Sequence, residues 1–317
     1  LTWNTSYRGD GTVRADAALP EPPPWRTFPV RSAAEVFEPP TGLTEAVNAA
    51  LALRRPLLIT GGPGTGKSTV IEQVATELAL GPVLRWHVTS RSTLGDALYR
   101  YDVLGRIHAH RLQQETARVG GEAGTDDIAS FLTLGPLGTA LLPSSRPRAL
   151  LIDEIDKADL DLPGDLLDVL ERGEFRIAEL LREEQRSAWV RTWESEDRRL
   201  VENGHVQCTE FPFILMTSNG EQELPAPFLR RCVRYSMPLP TAGLVRNVVR
   251  RHLGLDVGES GPAAELVQQF VQRLAGGESL AIDQLLATLH LLSGPNGSES
   301  AERERVVSLL MRDLSGA

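Results

Sequence analysis

Gly61-Gly62-Pro63-Gly64-Thr65-Gly66-Lys67-Ser68 satisfies the spacing G-x-x-x-x-G-K-[ST]. Glycines there let the backbone curl so that successive N–H groups point inward at phosphate oxygens, and a following helix N-terminus adds its dipole. In this pattern Lys67 reaches the β- and γ-phosphates and the Ser68 hydroxyl ligates Mg²⁺; the binding stretch is taken through Thr69. A plain glycine-rich turn would need neither Lys67 nor Ser68. A second element, Ala149-Leu150-Leu151-Ile152-Asp153-Glu154, is an apolar run ending in two carboxylates. Asp153 is placed to hold Mg²⁺ through water, and Glu154 to polarise a water for in-line displacement. A third apolar run, Phe213–Thr217, ends in Ser218-Asn219. The Asn219 amide offers donor and acceptor together, for a γ-phosphate and a lytic water, while Asn219-Gly220 also has the composition of a simple turn. Arg230 and Arg231 follow; an arginine too far from its own loop can stabilise charge in a neighbouring subunit, or the pair is surface in an arginine-rich chain.

The elements that must position these groups read as follows. Residues 1–40 are Pro-rich (Pro20, Pro22, Pro23, Pro24, Pro29, Pro39, Pro40) and suggest an extended arm. Leu43, Val47, Ala50 and Leu51 recur at helical spacing. Leu57-Leu58-Ile59 suits a buried strand before the glycine loop, and Val70, Ile71, Val74, Ala75 and Leu78 give the next helix one apolar face, stopped by Gly81-Pro82. Short apolar runs at 83–88, 149–152, 213–217 and 233–237, separated by helical stretches, argue for an α/β fold with a parallel sheet covered on both faces. After Pro240 the strand pattern stops, and helical patterns remain at 266–274, 282–292 and 303–314. The expected division is an arm at 1–40, an α/β nucleotide-binding domain at 41–240 and a small helical domain at 241–317. No internal repeat is visible.

Taken in order, Gly-Gly-Pro-Gly-Thr-Gly-Lys-Ser, Leu-Leu-Ile-Asp-Glu-Ile-Asp-Lys-Ala, Met-Thr-Ser-Asn and Leu-Pro-Ala-Pro-Phe-Leu-Arg-Arg-Cys resemble an AAA+ ATPase of the MoxR-like group, from about residue 40 to 240. The resemblance implies a P-loop NTPase core with a five-stranded parallel sheet, inserted hairpins and an all-helical C-terminal lid. It also implies Mg-dependent ATP hydrolysis at subunit interfaces and a homo-oligomeric ring, usually a hexamer. By this resemblance Lys67 and Ser68 fall in the Walker A motif, Asp153 and Glu154 in Walker B, Asn219 at sensor 1, and Arg231 or Arg230 at the arginine finger. Phe131–Leu137 resembles the hairpin inserted in helix 2, and Glu174–Leu180 the start of the hairpin before sensor 1. The group implies a von Willebrand factor A domain partner and the remodelling or activation of a client protein. Alternatives are a partner-dependent nucleotide switch or scaffold with low basal hydrolysis, and a DNA-acting AAA+ motor or loader.

The chain departs from the group in two places. Where the lid would supply a basic sensor 2 residue stands Glu278-Ser279-Leu280-Ala281-Ile282-Asp283, with Arg273 upstream as the nearest candidate. The segment 182–203 is long and highly charged, and it places Trp189 and Trp193 at i,i+4, where a helix would align them on one face. Local packing is the expected role of that pair, with a partner contact as the other reading.

Composition bounds the rest. The chain has 317 residues, 41% apolar and 24% charged, which suits a globular protein of about two domains. Its net charge is −9, so no overall field favours nucleic acid or an anionic membrane, and neither is an expected partner. Of 33 basic residues only Lys67 and Lys157 are lysines, one in the glycine loop and one beside the paired carboxylates. Cys208 and Cys232 make no disulfide framework and suit a reducing compartment; Cys232 reads as a small buried filler. No apolar run approaches the roughly 20 residues of a membrane span, and no signal peptide is visible, so the expectation is cytoplasmic. The sequence does not open on Met, which leaves its native start open. His108 and His110 read as exposed helix surface rather than metal ligands, and Pro22-Pro23-Pro24-Trp25 as a packed arm.

Overall fold

A computed structural model describes residues 7, 9–13, 20–27, 37–118, 127–193, 197–293 and 300–314. Pro29 and the opening Leu1-Thr2-Trp3-Asn4 lie outside them. In chain order the strands are β1 (Leu57–Thr60), β2 (Leu84–His87), β3 (Tyr99–Tyr101), β4 (Leu132–Leu134), β5 (Ala149–Asp153), β6 (Glu174–Arg176), β7 (Ser187–Arg191), β8 (Arg198–Glu202), β9 (His205–Gln207), β10 (Phe213–Ser218) and β11 (Val233–Ser236). The helices are α1 (Leu43–Leu53), α2 (Thr69–Glu77), α3 (Leu94–Leu98), α4 (Val103–Arg118), α5 (Pro136–Ala140), α6 (Leu162–Arg172), α7 (Ala226–Leu229), α8 (Ala242–Leu253), α9 (Pro262–Ala275), α10 (Ile282–Leu292) and α11 (Ser300–Leu310). Two compact units are distinguished: residues 41–60 with 71–235, and residues 1–40, 61–70 and 236–317.

The first unit holds the five-stranded sheet that the resemblance implies, in the order β11-β1-β10-β5-β2. Its β1–β10, β10–β5 and β5–β2 pairs are parallel, with Leu57 opposite Leu215 and Leu215 opposite Leu151. Burial follows position in the sheet. The inner strands β5 and β10 are buried along almost their whole length, as strands covered on both faces must be. The edge strand β2 alternates, with Leu84 and Trp86 inward and Arg85 and His87 outward. Helix α6 shows how a helix covers such a sheet. Leu162, Leu166, Val169 and Leu170 share its buried face, a proline sits in its first turn, and Gly173 closes it at φ 64°.

A second sheet, absent from the sequence reading as a unit, has the order β3-β4-β7-β8-β9-β6. It joins the two segments that resemble inserted hairpins. The insert at 182–203 is therefore a strand hairpin, not a helix: Ser187–Arg191 pairs antiparallel with Arg198–Glu202. Its alternation decides this, because Val190 and Val201 are buried while Trp189 and Leu200 point out. Trp189 is 56% exposed and Trp193 42%, so neither is a packing staple.

In the second unit, α8 to α11 enclose their own core of Val245, Val249, Val267, Phe270, Leu285 and Leu289. Helix α8 was not anticipated, because Arg246, Arg250 and Arg251 dilute its apolar face; Thr241 caps it by accepting from the Leu244 N–H at 3.3 Å. Trp25 packs against this core and meets His290 edge to face, with ring centroids 5.8 Å apart. His108 and His110 are exposed on α4. Among the described residues no helix is long and apolar enough to cross a membrane.

Candidate functional site

Parallel strands β1, β10 and β5 bring their carboxyl ends to one edge of the sheet, where open α/β sheets bind ligands. Strand β5 ends in Asp153, and the next residue, Glu154, turns into the left-handed region at φ 60°, ψ 49°. A residue with a Cβ adopts that conformation at a cost of about 1–2 kcal/mol, and such outliers cluster at functional sites.

Thr217 on the neighbouring strand β10 ties this turn together. Its hydroxyl donates to Asp153 Oδ1 at 2.6 Å and accepts from the Glu154 backbone N–H at 2.9 Å. Thr217 is 1% exposed, so neither bond can be replaced by water. The isosteric change Thr217→Val leaves the Glu154 N–H without its acceptor, and we expect it to lower unfolding free energy by about 1–3 kcal/mol, read from urea transitions.

The Glu154 side chain is gripped from three directions. Lys157 Nζ donates to Oε2 at 2.9 Å, His87 Nε2 stands 3.6 Å from the same oxygen, and the Asn219 amide donates to Oε1 at 3.3 Å. The hydrogen bond to Glu154 holds the Lys157 ammonium above the ordinary lysine value. Asp156, buried at 3% exposure, accepts from the backbone N–H groups of Asn219 and Glu221, each at 3.0 Å. That carboxylate fixes the loop after β10 and so aims the Asn219 amide. Sequence reasoning singled out Glu154 and Asn219, and the structure brings them together; it passed over Thr217, Asp156 and His87. A signal existed for two of these, since Asp156 lies inside Asp-Glu-Ile-Asp and Thr217 inside Met-Thr-Ser-Asn, whereas His87 arrives from a separate strand.

The glycine loop begins where β1 ends. Gly61, Gly64 and Gly66 have φ of 158°, 69° and 84°, the last two in the left-handed region. A Cβ on Gly64 would come within 2.9 Å of the Ala281 Cβ, so an alanine there is excluded twice over. Lys67 is 7% exposed, and its ammonium donates to the Gly61 and Gly62 carbonyls at 2.8 Å each. Thr65 Oγ1 closes the loop on Gly62 O at 2.9 Å. Pro63 and Ser68 occupy the intervening positions, and Thr69 opens α2. A buried ammonium enclosed by a curled backbone fits a phosphate chain, and space around the Gly62 Cα is open. The hydroxyl of Ser68 and the carboxylate of Asp153 are hard oxygen donors of the kind Mg²⁺ takes. Among the described residues no group of three or more His, Cys, Asp or Glu could hold a metal ion by itself.

Arg231 has partners of its own. It ion-pairs with Glu171, donates to Pro227 O at 3.1 Å, and lines a cleft of about 240 Å³ with Arg54, Arg55, Phe228 and Cys232. Burial pushes the Cys232 thiol up to about 11, against the pull of Arg234 and Arg55, as befits a buried filler. Arg230 is exposed. In the other unit Arg273, the nearest basic residue to the expected sensor 2 position, donates through Nε to Glu278 at 2.8 Å and through Nη1 to Met311 O at 2.7 Å.

Residues 56–232 match the AAA domain family, dynein-related subfamily. An ATP-dependent protease ATP-binding subunit-like protein of Rhodococcus erythropolis is 33% identical over 127 residues, which is 39% of this chain. The match covers 32% of that protein, so the chain spans about a third of the curated relative. Among solved structures, domain III of the Thermotoga maritima replication initiation protein DnaA aligns at 14% identity over 88% of this chain and 96% of that one, with a TM-score of 0.42. A Thermotoga maritima RuvB mutant aligns at 17% identity over 84% of this chain and 68% of that one, with a TM-score of 0.43. With more than half its length inside the family match, the chain belongs to the AAA domain family, in its dynein-related subfamily.

Proposed function

We propose that this chain is a MoxR-type, Mg-dependent ATPase that couples ATP turnover in a homo-oligomeric ring, a hexamer, to remodelling or activation of a partner protein. The observation that carries this reading is the Glu154 carboxylate, set on a strained turn at the carboxyl edge of a parallel sheet and bonded to the Asn219 amide. In this reading Gly61 to Thr69 cradle the phosphates and Lys67 offsets their charge. Ser68 and Asp153 hold Mg²⁺, which when bound neutralises charge on the phosphate oxygens. Glu154 accepts the proton of the attacking water, and Asn219 orients that carboxylate. Arg231, with Arg230 beside it, serves the site of a neighbouring subunit after leaving Glu171. The α/β part to residue 240 binds nucleotide, and the helical part from 241 acts as its lid. The partner is a von Willebrand factor A domain protein, and the setting is the cytoplasm.

The family match supports the nucleotide-binding part of this reading, and the Glu154–Asn219 contact supports the hydrolytic part. Native mass of the Glu154→Gln protein, with and without Mg-ATP, tests it. A closed ring that appears with nucleotide is the expected result. A monomer under both conditions overturns the ring.

One observation favours a second reading, a partner-dependent switch with low basal turnover. The carboxylate that must accept a proton is already ion-paired to Lys157 and close to His87. Release of that grip by a partner would then set the rate. We expect Lys157→Ala to raise basal turnover severalfold on the switch reading and to leave nucleotide affinity unchanged, measured by phosphate release and by titration.

A further inference from the structure

The second sheet buries one face and shows the other. Leu132, Leu134, Val190, Val201, Val206 and Phe175 point into the core. On the opposite face the register aligns Arg100 with Thr133, Thr133 with Arg191, and Arg191 with Arg198. Three guanidinium groups therefore stand in one row across four strands. Arg100 leans on Asp96 at 3.5 Å, but no carboxylate among the described residues pairs with Arg191 or Arg198. Those two lie directly opposite each other, an arrangement that destabilises an isolated strand pair. The adjacent row pairs Trp189 with Leu200, which are 56% and 43% exposed. Trp193, two residues past Arg191, is 42% exposed.

We infer that this face is a docking surface for an acidic, leucine-bearing segment of a partner protein. Exposed tryptophan beside a row of arginines has the composition of an interface hot spot, and guanidinium forks match carboxylates in pairs. Carboxylates between Arg191 and Arg198 relieve a like-charge contact that no carboxylate among the described residues compensates. A nucleic-acid strand fits less well: it carries a phosphate at every nucleotide and would meet Glu202 and Glu174, which share this face, whereas a peptide can place its carboxylates on the arginine row and apolar side chains on Trp189 and Leu200. The surface stands apart from the hydrolysis reading, because its residues belong to neither the glycine loop nor the Glu154 cluster. It can be tested without nucleotide.

The probe is a labelled peptide of alternating Glu and Leu, titrated with the full chain and followed by fluorescence anisotropy. Saturable binding is expected, weakening with added salt. Trp189→Ala, and the double change Arg191→Ser with Arg198→Ser, should each raise Kd at least ~10-fold, equivalent to ~1.4 kcal/mol. Glu202→Gln should tighten binding about twofold or more by removing a like charge, a gain that misfolding cannot imitate. No saturable binding, equal binding of a Lys-Leu peptide, unchanged Kd in the variants, or binding of oligo-dT in place of the peptide would each overturn the inference.

Discussion

Glu154→Gln lowers ATP turnover by about 10²–10³-fold and leaves nucleotide affinity within about twofold; this is the expected result if the carboxylate accepts the proton of the attacking water. The substitution keeps the shape, the left-handed turn and the bond that the backbone N–H donates to Thr217, since none involves the side-chain charge. It removes only basicity. The amide oxygen can still accept from Asn219 or Lys157, so the local network survives and the fold with it. Phosphate release measured beside binding of a fluorescent ATP analogue separates the two effects. Full-rate hydrolysis would remove Glu154 from the chemistry, and a joint loss of binding and turnover would mean that the carboxylate holds the site together instead.

Lys67→Ala has the opposite signature. We expect nucleotide affinity to fall by about 10²-fold or more, since charge-assisted hydrogen bonds to phosphate are worth roughly 1.5–3 kcal/mol each. Lys67 is the buried cation enclosed by the loop, held on the Gly61 and Gly62 carbonyls. Alanine also leaves those two carbonyls without the donor that holds them. Calorimetric titration with Mg-ATP checks it, and an affinity unchanged from that of the parent chain would refute the phosphate-binding role of the loop.

The parts of the site that were legible in the sequence are those whose chemistry is written within a few consecutive residues. The loop from Gly61 to Ser68, the pair Asp153-Glu154 and the position of Asn219 all declare themselves locally, as do the buried runs of β1, β5 and β10. What the sequence hid depends on distant pairing. Thr133 meets Arg191 across a long stretch of chain, so the second sheet had no local signature. The tryptophans at 189 and 193 suit a helix by spacing alone, and only the inward Val190 and Val201 show that the segment alternates. His87 joins Glu154 because β2 lies beside β5, a neighbour relation that no spacing encodes. Helix α8 escaped because its arginines masked a period that Val245 and Val249 still carry.

Within these 317 residues the primary amines of side chains are just two, and their surroundings differ sharply. Lys67 is enclosed in the loop, while the Lys157 side chain is 38% open to solvent and rests on Glu154. An acylating reagent therefore has little else on the side chains to attack, and Lys157 meets it first. Acylation there would cancel the charge that grips the carboxylate. The scarcity of lysine narrows side-chain acylation to one open position: a label that reaches Lys157 would report on the Glu154 turn.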